Sequence, residues 1–216
     1  MEPTPIWSEL LRFAAALFAI MNPLGNTAIF LSVTAERSPA ERNAIARTAV
    51  VAVLITLLVA AVLGEHILAL FGISIGAFRA AGGVIILLIA LAMLHARQSG
   101  VQHSAQEETE GQQKDNPAIF PLAIPMIAGP GAIATVIVYG EHARGIGGAL
   151  AIGAVIVLMC GVLLVALRAA GRLSTLLGPT GMNVLTRLMG MLLAAIAVEM
   201  IAAGVAELFP QLRLAG

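Results

Sequence analysis

The chain has 216 residues, of which 59% are hydrophobic and 11% charged, with a formal net charge of zero. An ordinary soluble domain carries about 25% charged residues, and a nucleic-acid-binding one presents a basic face with stacking aromatics. Composition therefore excludes both classes and leaves a polytopic membrane protein, because several apolar runs reach the roughly 20 residues that cross the hydrocarbon core of a bilayer. The lone Cys160 lies inside such a run, so neither an internal disulfide nor a CxxC redox pair is available.

In chain order, the N-terminus carries Glu2 and Glu9 where a signal peptide has its basic region, so the first run reads as a retained helix. Six transmembrane helices are expected, at 8–34, 43–64, 73–96, 117–140, 147–169 and 182–207. Residues 97–116 are polar and Gln-rich and read as a cytoplasmic linker between residues 1–96 and 117–216. Arg37, Arg42, Arg47, Arg97, Lys114, Arg168 and Arg172 fall on one side of this topology, against Arg12, Arg144 and Arg213 on the other. The positive-inside rule then puts both termini outside, in the periplasm of a bacterial inner (plasma) membrane.

The two halves resemble each other at a shift of 107 residues. Without a gap, Phe13 meets Phe120, Ile20 meets Ile127, Pro23 meets Pro130, Arg37 meets Arg144, Gly64 meets Gly171, Gly83 meets Gly190 and Met93 meets Met200. A repeat of three crossings re-enters the membrane in the opposite sense, which predicts an all-α fold of two inverted three-helix repeats, an architecture of secondary transporters.

Two prolines interrupt apolar runs at equivalent repeat positions: Pro23 in Asn22-Pro23-Leu24-Gly25-Asn26-Thr27, and Pro130 in Gly129-Pro130-Gly131-Ala132. Proline removes a donor and clashes with the preceding turn, so helices 1 and 4 are expected to break there. Asn22 followed by Pro23 reads as an N-cap and first helical residue. The N–H groups of Leu24, Gly25 and Asn26, and of Gly131, Ala132 and Ile133, would then start two half-helices whose positive ends meet an anionic group. Thr27 and Thr135 follow each break by about one turn and either line that site or bond backbone carbonyls.

Glu199 stands in an apolar run without another charge nearby. A carboxyl there is costly, so it is expected to face the bundle interior and to couple transport to protons. Arg79 begins the apolar part of helix 3 and either snorkels to an interface or partners Glu199 across the fold. Gly82, Gly83 and Gly190 favour close helix packing. His66, His95, His103 and His142 show no metal-ligand spacing, and no catalytic or nucleotide motif is present, so neither metal, cofactor nor enzymatic activity is expected.

Asn22-Pro23-Leu24-Gly25-Asn26, Phe71-Gly72-Ile73-Ser74 with Phe78-Arg79-Ala80-Ala81-Gly82-Gly83, the run Pro121 to Ala132, and Arg187-Leu188-Met189-Gly190 through Val198 resemble the MarC (UPF0056) family of integral membrane proteins over about residues 8–207. The resemblance implies a transporter of small neutral amino acids such as glycine and alanine, akin to the LysE-type exporters. Half-helix starts would hold the carboxylate; Asn22, Asn26, Glu199 or carbonyls near Ala19 and Met126 would hold the ammonium. One departure stands out. The family pattern places an acidic residue after Ile-Ala-Leu in helix 3 and glutamine after Ala-Val in helix 6, whereas this chain has Ala92 and Glu199, which are themselves repeat equivalents.

The expectation is therefore a proton-coupled secondary transporter of glycine, alanine, serine or threonine, with Asn22–Thr27, Gly129–Ala132 and Thr135 at a midplane site. Its partners are a small-molecule substrate and the lipid bilayer, with a homo-oligomer left open. The rivals are an exporter of other metabolites or drugs, and a channel or membrane-stress scaffold.

Overall fold

The computed structural model describes residues 6–95, 118–142, 145–209 and 211. The expected linker at 97–116, His103, Arg144 and Arg213 lie outside the described residues. The elements are α1 (Ile6–Met21), α2 (Gly25–Val33), α3 (Pro39–Leu70), α4 (Ile75–Leu94), α5 (Ala118–Ile127), α6 (Pro130–His142), α7 (Gly145–Arg168) and α8 (Ala170–Leu208). No strand occurs among the described residues.

Five stretches are long and apolar enough to cross a membrane: Trp7–Val33, Pro39–Leu70, Ile75–Leu94, Gly145–Arg168 and Thr180–Leu208. The expected fourth crossing at 117–140, with its break before Pro130, is not among the five; it consists of two short pieces, α5 and α6. The cause is local. α5 is wound as a π-helix, its ladder continuing to Ala128 N–H, which donates to the Ala123 carbonyl at 2.8 Å. Pro121 and Pro125 each remove an N–H from that stretch, and the wider winding accommodates what an α-ladder would lose.

Two other helices are longer than expected. α3 starts at Pro39 because Ser38 and Glu41 form a capping box: the Glu41 N–H donates to Ser38 Oγ at 3.3 Å and the Ser38 N–H to the Glu41 carboxylate at 2.8 Å. α8 starts at Ala170 rather than near 182. Gly178, at φ 61°, kinks it just before Pro179, and glycine alone takes that conformation without strain.

α3 shows how the bundle is solvated. It buries Ala46, Ala49, Val53, Leu57 and Leu68, while Val51, Ile55, Val59, Val62, Ile67 and Leu70 are exposed. Both faces are apolar, which suits lipid on the outside and protein on the inside. Without a hydrophobic driving force between helices in lipid, association rests on close packing of small residues.

The α4–α8 pair makes the closest such approach. A Cβ built on Gly76 would lie 3.2 Å from the Gly204 carbonyl, one on Gly83 2.9 Å from the Ala197 carbonyl, and one on Gly190 3.1 Å from the Ala90 carbonyl. Rising numbers on α4 meet falling numbers on α8, so the helices run antiparallel. Gly76, Gly83 and Ala90 face Gly204, Ala197 and Gly190, each series spaced by seven, the period that keeps one stripe on a facing helix. Of the positions 107 apart on α4 and α8, three pairs are buried together: Ile86 with Leu193, Ala90 with Ala197 and Met93 with Met200.

One end of the bundle gathers the start of α1 and α4 and the end of α3, α6 and α8. There Gly64 packs on Ile137, Phe13 on Tyr139 (ring centroids 5.1 Å apart), and Gly76 beside Glu207. The opposite end gathers the end of α2 and α7 and the start of α3 and α8.

Candidate functional site

The first interruption is built by one residue. Asn22 closes α1 by donating its N–H to the Phe18 carbonyl at 3.0 Å, and it takes φ 42°, a left-handed conformation that asparagine tolerates better than most side chains. Pro23 follows, buried. The Asn22 Oδ1 then accepts the Gly25 N–H at 3.1 Å, and its own carbonyl accepts the Asn26 N–H at 3.0 Å. Asn22 thus supplies two acceptors to the first turn of α2, but not as the N-cap expected of it: Leu24 holds that position, and Asn22 is left-handed rather than extended. Asn26, buried, donates Nδ2 to the Met21 carbonyl at 2.7 Å, satisfying an acceptor at the end of α1.

These bonds correct one expectation. The N–H groups of Gly25 and Asn26 do not stand free for a ligand, since Asn22 occupies both. Thr27 and Thr135 likewise bond the backbone: Thr27 Oγ1 donates to the Leu24 carbonyl at 2.6 Å and Thr135 Oγ1 to the Gly131 carbonyl at 2.9 Å. Among the alternatives for the two threonines, the structure shows the backbone-bonded one.

The second interruption lies between Ile127 and Pro130. The Gly129 carbonyl accepts the Ile133 N–H at 3.1 Å, closing the first turn of α6, so Ile133 N–H is also taken. Gly129, Gly131 and Ala132 are buried, whereas Pro130 is exposed. A Cβ built on Gly131 would lie 3.1 Å from Ile86, 3.6 Å from Ile20 and 3.7 Å from Ile89. Ile20 stands two residues before Asn22, so the structure brings the two interruptions side by side. Three isoleucines fill the space over Gly131, and this conformation leaves little room there.

The open space lies on the terminal side of that contact. A cleft of about 530 Å³ is lined by Glu9, Arg12, Ala15 and Ala16 of α1, Arg79 of α4, Val138 and Tyr139 of α6, and Ile196, Glu199, Met200 and Ala203 of α8. Ala16 precedes Asn22 by six residues, so the inner end of the cleft lies about 9 Å along α1 from the first interruption. Charges of both signs share one cleft, with Glu9 and Glu199 opposed by Arg12 and Arg79.

Glu199, expected to face the bundle interior, stands on a cleft between helices rather than in the packed core. The buried face of α8 is taken by Leu193, Ala197, Met200 and Gly204. Glu199 lies off that stripe, exposed, on the cleft wall. Arg79 shares the cleft but its ion pairs run elsewhere. Its guanidinium, almost fully buried, is hydrogen-bonded to the Glu207 carboxylate and lies 3.8 Å from that of Glu141. Sequence reasoning named neither acid. The signal was present, because helices 4 and 6 end on the side where helix 3 begins, but nothing in the spacing chose these two among the chain's acids.

His66 is exposed on α3, and His95 Nδ1 lies 2.7 Å from the Leu91 carbonyl. Among the described residues no three His, Cys, Asp or Glu side chains stand close enough to hold a metal ion.

The pattern that carries these interruptions extends along the whole chain. Residues 7–209 match the family described as MarC family integral membrane protein. The chain belongs to the MarC family. Among relatives, it is 41% identical to UPF0056 membrane protein YvbG of Bacillus subtilis, over 96% of this chain and 99% of that one. It is 39% identical to UPF0056 membrane protein YhcE of Escherichia coli, over 93% and 94% of the two chains. An archaeal member, UPF0056 membrane protein MJ1677 of Methanocaldococcus jannaschii, is 37% identical over 88% and 93%. No solved structure matches the chain. The MarC chain described here is thus an integral membrane protein whose relatives share nearly its full length.

Proposed function

We propose that this MarC-family protein is a secondary transporter of small neutral amino acids, of the glycine, alanine, serine and threonine class, coupled to protons through Glu199. In this reading it sits in a bacterial inner membrane with six crossings, α5 and α6 together making the fourth, and with both termini in the periplasm. The observation that carries the reading is the cleft itself. It presents carboxylates and guanidinium groups together, and its innermost α1 residue, Ala16, lies on the same helix as the interruption at Asn22. A zwitterion is the ligand whose two charges both find partners in such a cleft. The alanines Ala15, Ala16 and Ala203 in its lining leave room only for a short side chain.

The inverted repeat supports alternating access. Under the 107-residue shift, Gly83 becomes Gly190 and Ala90 becomes Ala197, so the contact Gly83–Ala197 maps onto Gly190–Ala90 with the partners exchanged. A two-fold axis between the halves has that effect. The cleft opens at the terminal end while isoleucines close the space over Gly131, which is how one of two alternate states would look.

The test is counterflow of labelled glycine, alanine and threonine in liposomes carrying the purified protein. Saturable exchange is expected, abolished by Gly131→Val, whose side chain meets Ile20, Ile86 and Ile89. Glu199→Gln is expected to keep exchange and lose pH-driven uptake. Well-folded wild type that exchanges none of the three would overturn the reading.

A further inference from the structure

A second cavity, of about 320 Å³, lies at the opposite end of the bundle, and the transport reading makes no use of it. Four helix ends build it: Phe30 and Leu31 from α2, Pro39, Arg42 and Asn43 from α3, Leu167 and Arg168 from α7, and Ala170, Gly171 and Arg172 from α8. Its lining holds three guanidinium groups and, in contrast to the cleft, not one carboxylate. The acid of this helix start, Glu41, is committed to Ser38, whose hydroxyl lies 2.6 Å and whose N–H lies 2.8 Å from the carboxylate.

The charge is partly pre-set. Arg42 spends Nε on the Thr34 carbonyl at 3.0 Å and Nη2 on the Ala35 carbonyl at 2.9 Å, which fixes its guanidinium in the wall. Arg168 and Arg172 are exposed at the rim. The end of α7 and the start of α8 adjoin here, so their helix dipoles oppose each other and the field comes from the arginines. The inner wall is apolar: Phe30 is 2% exposed and Leu167 1%. Beyond it, residues 170–177 form a short helical stretch before the Gly178 kink. That stretch exposes Leu176 to 80%. A large aliphatic side chain standing clear of the protein beside arginines suits the boundary between headgroups and acyl chains.

We propose that this cavity binds the headgroup of an anionic phospholipid, its phosphate held by Arg42, Arg168 and Arg172 and its glycerol and first methylenes lying on Phe30, Leu31 and Leu167. A three-arginine cavity with an apolar floor at the end of a membrane bundle matches a phosphodiester attached to hydrocarbon better than it matches a soluble anion, which has no use for the floor. The occupant joins α2–α3 of one half to α7–α8 of the other.

The test uses the purified full chain in detergent micelles, titrated with phosphatidylglycerol, phosphatidylcholine or inorganic phosphate. Melting temperature and lipid retained in native mass spectrometry are the readouts. Phosphatidylglycerol is expected to be retained and to raise the melting temperature, and phosphatidylcholine to do neither. Each rim arginine near an anionic headgroup contributes about fivefold, so Arg168→Gln with Arg172→Gln should weaken retention about 25-fold. Arg47→Gln removes the same kind of charge outside the cavity and should change little. Because Arg168 and Arg172 are exposed, the double variant should fold with the wild-type melting temperature in the absence of lipid. Equal retention by wild type and the double variant would overturn the proposal, as would equal retention of phosphatidylcholine. Stabilisation by inorganic phosphate matching that by phosphatidylglycerol would overturn the lipid assignment.

Discussion

Gly204 offers the sharpest test of the packing that holds the two halves together. A Cβ placed there falls 2.6 Å from the Gly76 carbonyl oxygen and 2.6 Å from the Ala80 nitrogen, both backbone atoms that cannot rotate away. Ordinary contact begins at 3.4 Å, so Gly204→Ala forces α4 and α8 apart by about 0.8 Å at that point. Overpacking of this kind costs about 1–3 kcal/mol, and two rigid contacts place it near the upper value. Alanine recovers about 1 kcal/mol of helix propensity, leaving a net loss of about 2 kcal/mol. For a chain of this length that lowers the melting temperature by about 4–8 °C. Gly161→Ala is the control. No heavy atom lies within 4 Å of its added Cβ, so only the propensity gain remains and the melting temperature should hold or rise. The assay is thermal unfolding in detergent followed by size-exclusion retention. If Gly204→Ala melts together with Gly161→Ala, the close α4–α8 seam is wrong as described.

Other substitutions separate the remaining contacts. Asn22→Ala removes the cap on Gly25 and puts a less tolerant residue at φ 42°, costing about 0.5–2 kcal/mol, while Asn22→Gly costs only a few tenths because glycine accepts that conformation; the melting temperatures should rank wild type, glycine, alanine. Glu207→Ala takes the hydrogen-bonded carboxylate from a buried guanidinium and should destabilise by about 1.5–3 kcal/mol. Glu141→Ala, at 3.8 Å and more exposed, should cost under about 1 kcal/mol, and the same melts compare the two. Ser38→Ala breaks the capping box of α3 and should cost about 1 kcal/mol; amide exchange at Glu41 and Arg42 should quicken in that variant.

How far the sequence could be read depended on the range of the interaction concerned. The interruptions at Asn22-Pro23 and Gly129-Pro130 are local events of proline and asparagine chemistry, and both were legible as such. The extra turns of α3 were also written locally, in Ser38-Pro39-Ala40-Glu41, but an apolar-run reading passes over a polar helix start. The stretch from 170 to 181 contains Gly178-Pro179 and reads as a loop, although it is helical on both sides of a single glycine torsion. The π winding of α5 has no periodicity of its own that apolar composition would reveal. What could not be read were contacts between distant segments. Arg79 meets Glu207 at a separation of 128 residues, and Glu199 turns to the cleft because Leu193, Ala197 and Met200 already occupy the face of α8 that packs.

Asn22 has a consequence for binding strength. Its side-chain oxygen already sits where a ligand carboxylate would receive the Gly25 N–H, in an interaction of about 1 kcal/mol. On the transport reading proposed above, a substrate arriving there would exchange one acceptor for another instead of making a bond where none existed. The free energy of that step is close to zero, and so is the free energy of its reversal. Such a seat would discriminate by fit while holding nothing tightly, and on departure of the cargo the asparagine would return to the vacated donor. On that reading the protein carries within its own chain a stand-in for its ligand, so that loaded and unloaded forms would stay near in energy and neither would become a trap.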